Sequence, residues 1–213
     1  MIKYHEIKTL FNRNPETNYK TLIEGDFALP EFEYLQDNEW TFTEKVDGTN
    51  IRIMWDGEAL KFGGKTDNAQ IPVFLYDRLN EIFTGDQFQE LFEDTPVCLY
   101  GEGYGAKIQK GGGNYISGGV DFVLFDVSIG DWWLQRKAVE DIANNLALRI
   151  VPICGKGNLH ELVNKVALGF DSAWGNFQAE GIVARPSTEL KARSGSRIIT
   201  KLKHKDFAEV DKK

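Results

Sequence analysis

The segment of this sequence best suited to covalent chemistry is Glu44-Lys45-Val46-Asp47-Gly48-Thr49-Asn50. Apolar and polar residues alternate from Trp40 to Lys45, so the lysine stands where a strand runs into an Asp-Gly turn. Its amine is therefore placed by backbone rather than by a floppy surface stem. A lysine attacks only after losing its proton, which desolvation or a neighbouring cation promotes. Lys61, Lys65, Lys201 and Lys203 are candidate cationic neighbours. A surface hairpin with a salt-bridged lysine is the alternative that these residues alone leave open.

Three further features could carry chemistry. Lys201 and Lys203 lie two apart in a strand-like run and so share a face. Two ammonium groups there repel unless something anionic lies between them. A triphosphate answers that need, and a solvated edge strand is the alternative. Glu180 opens the apolar run Gly-Ile-Val, where an unpaired carboxylate is costly. A metal ion or a lysine partner would explain it, and so would a plain structural salt bridge. Phe125 ends the run Phe122-Val-Leu-Phe, and spacing alone favours a core role for it.

Other chemistries are poorly represented. The glycine-rich stretch Gly101 to Gly113 lacks the Gly-Lys-Ser/Thr ending of a Walker loop. It departs from Gly-x-Gly-x-x-Gly because Ala106 takes the last glycine's place. Its glycines, with Lys107 and Lys110, would suit a loop approaching a polynucleotide backbone. His5, His160 and His204 show no zinc spacing, and there is no Gly-x-Ser-x-Gly elbow.

The elements that must position these residues can be read from periodicity. Asn50 to Trp55 and Glu58 to Gly63 flank Asp56-Gly57, a strong hairpin signal. Val73, Tyr76, Leu79, Ile82 and Phe83 have helical spacing, with Pro72 suited to a first turn. Pro96 to Tyr100 and Val120 to Ser128 read as strands, the first stopping at the glycine-rich loop and the second turning at Gly130-Asp131. Val139, Ile142, Ala143 and Leu146 make one apolar helix face, and Leu159, Leu162, Val163 and Val166 another. Two strands, Ala179 to Arg185 and Arg197 to Lys203, close the chain. The expectation is an α+β protein built on antiparallel sheets with flanking helices.

Composition sets the outer bounds. The chain has 213 residues, 42% hydrophobic and 27% charged, which is enough for a substantial core. No apolar run could span a bilayer, and the N-terminus lacks the apolar core of a secretory signal. Cys98 and Cys154 sit in apolar contexts and read as reduced core thiols of a cytoplasmic protein. The net charge of −7 argues against a nucleic-acid partner, but the charge is polarised. From Arg185 to Lys205 only Glu189 opposes seven basic residues, Arg185, Lys191, Arg193, Arg197, Lys201, Lys203 and Lys205.

Taken in order, these segments resemble the motifs of covalent nucleotidyltransferases, the superfamily of DNA ligases, RNA ligases and mRNA capping enzymes. Lys45-Val46-Asp47-Gly48 resembles the motif that bears the nucleotide-accepting lysine. Gly101-Glu102-Gly103 resembles an element that contacts the nucleotide sugar, and Phe122 to Asp126 one whose aromatic residue packs on adenine. Glu180-Gly-Ile-Val resembles the fourth motif, and Lys201-Leu202-Lys203 the fifth, where paired lysines hold the triphosphate. Thr43-Glu44-Lys45, Thr49-Asn50 and the opening Lys3-Tyr4 are most similar to ATP-dependent RNA ligases of the phage double-strand-repair type.

That resemblance implies a nucleotidyltransferase (adenylation) domain of ATP-grasp-like ligase architecture. It implies that Lys45 takes AMP covalently from ATP, with Mg2+ or Mn2+ as the metal. Thr43 and Glu44 would lie against the adenine edge, Glu102 would hold the ribose, and Phe125 would stack on the base. Glu180, with Glu102 as a second carboxylate, would organise the metal, and Lys201 and Lys203 would neutralise phosphate charge. Arg52 and Lys65 are candidates for phosphate or ribose contacts, and Asn50 for the RNA end. Arg193, Arg197 and the glycine-rich loop would track the polynucleotide backbone. The expected partner is a nucleic acid with 5′-phosphate and 3′-hydroxyl ends, a nicked duplex RNA or a hybrid, met by a monomer without a membrane. A cytoplasmic location follows, that of the host if the chain is phage-encoded. Only residues 204–213 follow the fifth motif, so the expectation is a single nucleotidyltransferase domain over 1–213, without a C-terminal OB-fold or accessory domain. A DNA-joining ligase with the same chemistry and a non-catalytic nucleic-acid-binding module are the alternatives.

Overall fold

Period-two alternation makes the strands of this chain and decides which face each side chain takes. The computed structural model describes residues 3–207. In chain order the strands begin with β1 (Lys8–Thr9), β2 (Phe11–Arg13), β3 (Leu22–Phe27), β4 (Trp40–Lys45), β5 (Thr49–Trp55) and β6 (Leu60–Gly63). They continue with β7 (Val97–Gly105), β8 (Val120–Ile129), β9 (Trp132–Trp133), β10 (Arg149–Ile150), β11 (Ile153–Gly157), β12 (Gly181–Pro186) and β13 (Thr200–Lys203). The helices are α1 (Pro30–Tyr34), α2 (Val73–Ile82), α3 (Gly85–Phe92), α4 (Gly112–Tyr115), α5 (Arg136–Asn145) and α6 (Leu159–Leu168). Pairing is antiparallel except between β1 and β13 and between β10 and β8, so the α+β expectation holds. Among the described residues no helix is long and apolar enough to cross a membrane.

The chain divides into two compact units, one of Met1–His5 with Asp47–Val151 and the other of Glu6–Val46 with Pro152–Lys213. The second unit holds a sheet in the order β1-β13-β12-β4-β11 and a separate β2-β3 ribbon. In β4, Trp40, Phe42 and Glu44 are buried while Thr41, Thr43 and Lys45 are half-buried on the other face. Ile182 and Ala184 of β12 and Leu202 of β13 join Trp40 and Phe42 in one apolar cluster. Helix α6 closes that cluster with Leu159, Leu162 and Val166. Its start is fixed by a capping box: Asn158 accepts from the Glu161 amide, and Glu161 accepts in return from the Asn158 amide.

The first unit is built on the sheet β10-β8-β7-β5-β6, with β9 on β8. Ile51, Ile53, Trp55, Val97, Leu99 and Phe122 meet Leu75 and Leu79 of α2, Phe88 of α3 and Val139 of α5 in its core. The β5–β6 hairpin forms at Asp56-Gly57, as its sequence predicts. The Asp56 carboxylate accepts from Lys61 and from the Ala59 and Glu58 amides, which holds its carboxyl at about 2. Strand β7 corrects the expectation of a loop after Tyr100, for it runs on to Gly105. Its glycines make room on the core side: a Cβ at Gly101 would collide with the Phe122 ring, and one at Gly103 would press on Leu75. Pro72 stands just before α2 rather than in its first turn.

Neither cysteine is bonded to another. Burial pushes both thiols, Cys98 and Cys154, up to about 11. A raised value means that the thiolate appears only as pH climbs towards that range, and the thiolate is the reactive form. The native protein is therefore expected to resist alkylation by iodoacetamide at neutral pH, with both thiols reacting once it is unfolded in urea. Rapid native modification of either, read by mass spectrometry, would contradict this placement.

Candidate active site

The second unit holds Lys45 of the first motif with Glu180 of the fourth and Lys201 and Lys203 of the fifth. Lys45 and Lys203 are each the register partner of Gly181, on opposite sides of β12. Glu180, one residue earlier, receives both: Lys45 Nζ lies 2.7 Å from Oε2 and Lys203 Nζ 2.6 Å from Oε1. These are short, charge-assisted contacts. The Glu180 side chain is 12% exposed, against 20% for Lys45 and 23% for Lys203. A carboxylate thus meets the Lys203 ammonium, and the lysine partners that Glu180 requires are present in Lys45 and Lys203. The Glu180 carbonyl also accepts from the His204 amide at 2.9 Å, fixing the residue from its backbone.

The spacing of β12 and β13 at this point depends on Gly181. A Cβ there would collide with the Leu202 carbonyl and press on Lys203 Cα. Lys201 lies one pleat along β13, opposite Val183, and shares a face with Lys203 as its spacing predicts. Thr43 lies on the Lys45 face and donates to the Val183 carbonyl at 3.0 Å. Glu44 does not share that face. Its buried carboxylate accepts from the Ser172 hydroxyl at 2.6 Å and the Ala173 amide at 2.9 Å, which ties down the segment before Glu180. Arg197 is turned inward and paired with Glu189, so its charge is committed within the protein, while Arg193 is exposed.

The first unit carries the remaining candidates on one sheet. Asn50 and Glu102 are register partners on β5 and β7, both half-buried. Asn50 Oδ1 is buried with no hydrogen-bond partner among the described residues. Arg52 is buried and folds the following segment back, donating to the Gly64 carbonyl at 2.8 Å and to Asp67 at 2.7 Å. That contact holds the Asp67 carboxyl below its usual range. Lys65, in the same segment, is exposed. Phe125 is not core, contrary to its spacing. Tyr100 pairs with Asp126 and Gly101 with Leu124, so Phe125 is the extra residue of a bulge. The bulge leaves it half-buried, edge-on to Tyr4 at 5.1 Å.

Several contacts around these residues had no signal in the sequence. The Tyr115 hydroxyl accepts from the Asp47 amide at 3.1 Å, and Gln109 donates to the Gly48 carbonyl at 3.0 Å. Both tie the loop after β7 to the turn that follows Lys45 in the chain. A Cβ at Gly48 would lie 2.7 Å from Cγ of Glu102 and collide with the Gly103 carbonyl, so this turn needs its glycine. The Tyr4 hydroxyl donates to the fully buried Asp126 at 2.9 Å, which fixes Tyr4 beside Phe125. Among the described residues no cluster of three or more His, Cys, Asp or Glu could hold a metal ion.

The second unit thus presents two lysines to one glutamate on a single sheet. The family model of the RNA ligases matches residues 38–203, and the chain belongs to that family. No curated protein matches it in sequence. Among solved structures it shares its fold with an apo mutant of the Naegleria gruberi RNA ligase, at 17% identity and a TM-score of 0.65. That match covers 94% of this chain and 56% of the ligase, so the chain spans little more than half of that relative's length. A mutant of the same ligase with ATP and Mn gives 16% identity, coverage of 92% and 56%, and a TM-score of 0.64. The ligase with PPi gives 18% identity, coverage of 94% and 59%, and a TM-score of 0.64.

Gly181→Ala is expected to force β12 from β13 at Glu180 and destabilise the protein by about 1–3 kcal/mol, the usual range for overpacking. Urea unfolding measures this, and an unchanged midpoint would contradict the close approach.

Proposed function

We propose that the chain is an ATP-dependent RNA ligase of the phage double-strand-repair type that adenylylates itself on Lys45. The observation that carries the reading is Glu180 held between Lys45 and Lys203 on one sheet face. In the first step Lys45 Nζ, after giving up a proton to solvent, forms a bond to the α-phosphorus of ATP. The bond from that phosphorus to the bridging oxygen breaks, and pyrophosphate leaves with the electron pair. Lys201 and Lys203 neutralise charge that builds on the phosphate oxygens, a preorganised electrostatic contribution. In the second step a 5′-phosphate oxygen attacks the same phosphorus and displaces Lys45. In the third a 3′-hydroxyl attacks the activated 5′-phosphate, forms the phosphodiester and releases AMP.

By the same resemblance, Thr43 lines the adenine edge, with Glu44 fixed behind it by Ser172 and Ala173, while Glu102 holds the ribose and Phe125 stacks on the base. Phe125 suits that role because the bulge keeps its ring half-exposed. Asn50 suits a ligand because its buried Oδ1 wants a donor, which a ribose or 3′-terminal hydroxyl supplies. Arg52 acts through the Gly64 to Asp67 segment that it braces, with Lys65 as the charge directed to phosphate. The donor set fits a magnesium-type ion held by one carboxylate, Glu180, together with substrate phosphates, and does not fit an all-protein cage. Such an ion supplies Lewis-acid stabilisation of phosphate charge. Glu102 is the other candidate carboxylate. The natural partner is a nicked duplex RNA or hybrid, joined by a monomer, and the free thiols suit the cytoplasm.

The test is incubation with α-labelled ATP and Mg2+ or Mn2+, for wild type and Lys45→Ala, followed by denaturing electrophoresis. Label is expected on wild type only, discharged by pyrophosphate and blocked by a chelator. Unlabelled wild type that still binds nicked duplex, equally well with Lys45→Ala, would replace the reading with a non-catalytic binding module. For the substrate, a nick with ribose at the 3′-hydroxyl side is expected to be sealed at least about tenfold faster than its deoxyribose counterpart, since the 2′-hydroxyl is the chemical difference. Equal rates would make this a DNA-joining ligase as well.

A further inference from the structure

Behind Lys203 lies a buried carboxylate that the proposed chemistry does not use. Asp206, in the turn His204–Phe207, has a side chain only 1% exposed. Its Oδ2 accepts from the Lys203 backbone amide at 3.0 Å, and its Oδ1 accepts from Arg13 Nη2 at 3.0 Å. The need for this acceptor can be read from the sheet. Strand β1 pairs with β13 only as far as Lys201, so the Lys203 amide lies beyond the last strand partner on that side. The chain leaving β1 turns into β2 and returns with Arg13, whose Nη1 donates to the Tyr19 carbonyl at 3.2 Å. A buried amide and a buried carboxylate without partners are each costly, and here each satisfies the other.

We propose that Arg13 and Asp206 are positioning residues for Lys203, a brace that fixes the end of β13 so that the Lys203 ammonium meets Glu180. The line of contact runs Arg13, Asp206, Lys203, Glu180, Lys45, all within the second unit. The effect of Arg13 and Asp206 reaches the reaction through the place of Lys203, and this consequence rests on the ligase reading above. A displacement of about 1 Å at a catalytic group can cost on the order of 10²-fold in rate.

Two measurements test the brace, one of them independent of activity. In the first, nucleotide-free protein is acetylated briefly with an amine-reactive ester, and each lysine is quantified by peptide mass spectrometry. Lys203 is expected to be protected relative to exposed Lys205, and Asp206→Ala to raise its modification several-fold with Lys205 unchanged. Asp206→Asn, which keeps a carbonyl acceptor for the amide, is expected to restore most of the protection. Arg13 is 33% exposed and can turn to water when its partner is removed, so the variants are expected to stay folded, as thermal melting would show. In the second, single-turnover self-labelling from ATP is measured for Asp206→Ala, Lys203→Ala and the double variant. Asp206→Ala is expected to slow labelling by about 10- to 100-fold, and to add less than about twofold when Lys203 is already alanine. Unchanged Lys203 reactivity in Asp206→Ala, or losses that multiply in the double variant, would overturn the brace. A wild type that never labels, with Lys203 still exposed by Asp206→Ala, would leave the brace standing and sink the ligase reading instead.

Discussion

One carboxylate between two ammonium groups is the constraint on which the lysine-bearing sheet depends. Lys45 and Lys203 arrive from strands on either side of β12, and without Glu180 their charges would oppose each other on a half-buried face. The contacts of 2.7 and 2.6 Å need β12 close to both neighbours, which is why the next residue has no side chain. Such a partly buried pair is weak evidence for stability, because desolvation offsets much of the Coulombic gain. Its value lies in geometry. It holds a candidate nucleophile and a candidate phosphate ligand in fixed places on a rigid sheet.

The same economy of alternation serves both units. In β4 it buries Trp40, Phe42 and Glu44 and turns Thr43 and Lys45 the other way. In β7, Gly101 and Gly103 clear the core side for Phe122 and Leu75, and Glu102 between them takes the opposite face. Glycine in a strand costs conformational entropy, and here each one is explained by a neighbour that would otherwise collide. The Gly-Glu-Gly motif is thus a packing solution as much as a chemical one.

The candidate residues were largely legible because they are local: Lys45 at a strand end, Glu180 before an apolar run, Lys201 and Lys203 two apart. The principal strands and helices followed from periodicity for the same reason. Spacing alone favoured core for Phe125 because no pattern in β8 announces the bulge that turns its ring aside. The extent of β7 was missed because glycine normally signals a turn, whereas here it signals close packing. Arg197 read as free positive charge because its pairing with Glu189 depends on how the intervening loop folds. The short strands β1 to β3 have too few residues to show a period. The brace was invisible, since Arg13 and Asp206 stand 193 residues apart in sequence and meet only in the fold.

If Glu180 organises the two lysines for nucleotidyl transfer, the adduct and the carboxylate must be linked. The most direct measurement is peptide mapping of the AMP adduct formed from ATP and Mg2+ in wild type and in Glu180→Gln, which keeps the shape and removes the charge. AMP is expected on Lys45 in wild type, and almost none in Glu180→Gln at an essentially unchanged melting temperature. AMP on Lys201 or Lys203, or undiminished labelling of Lys45 in Glu180→Gln, would contradict this expectation.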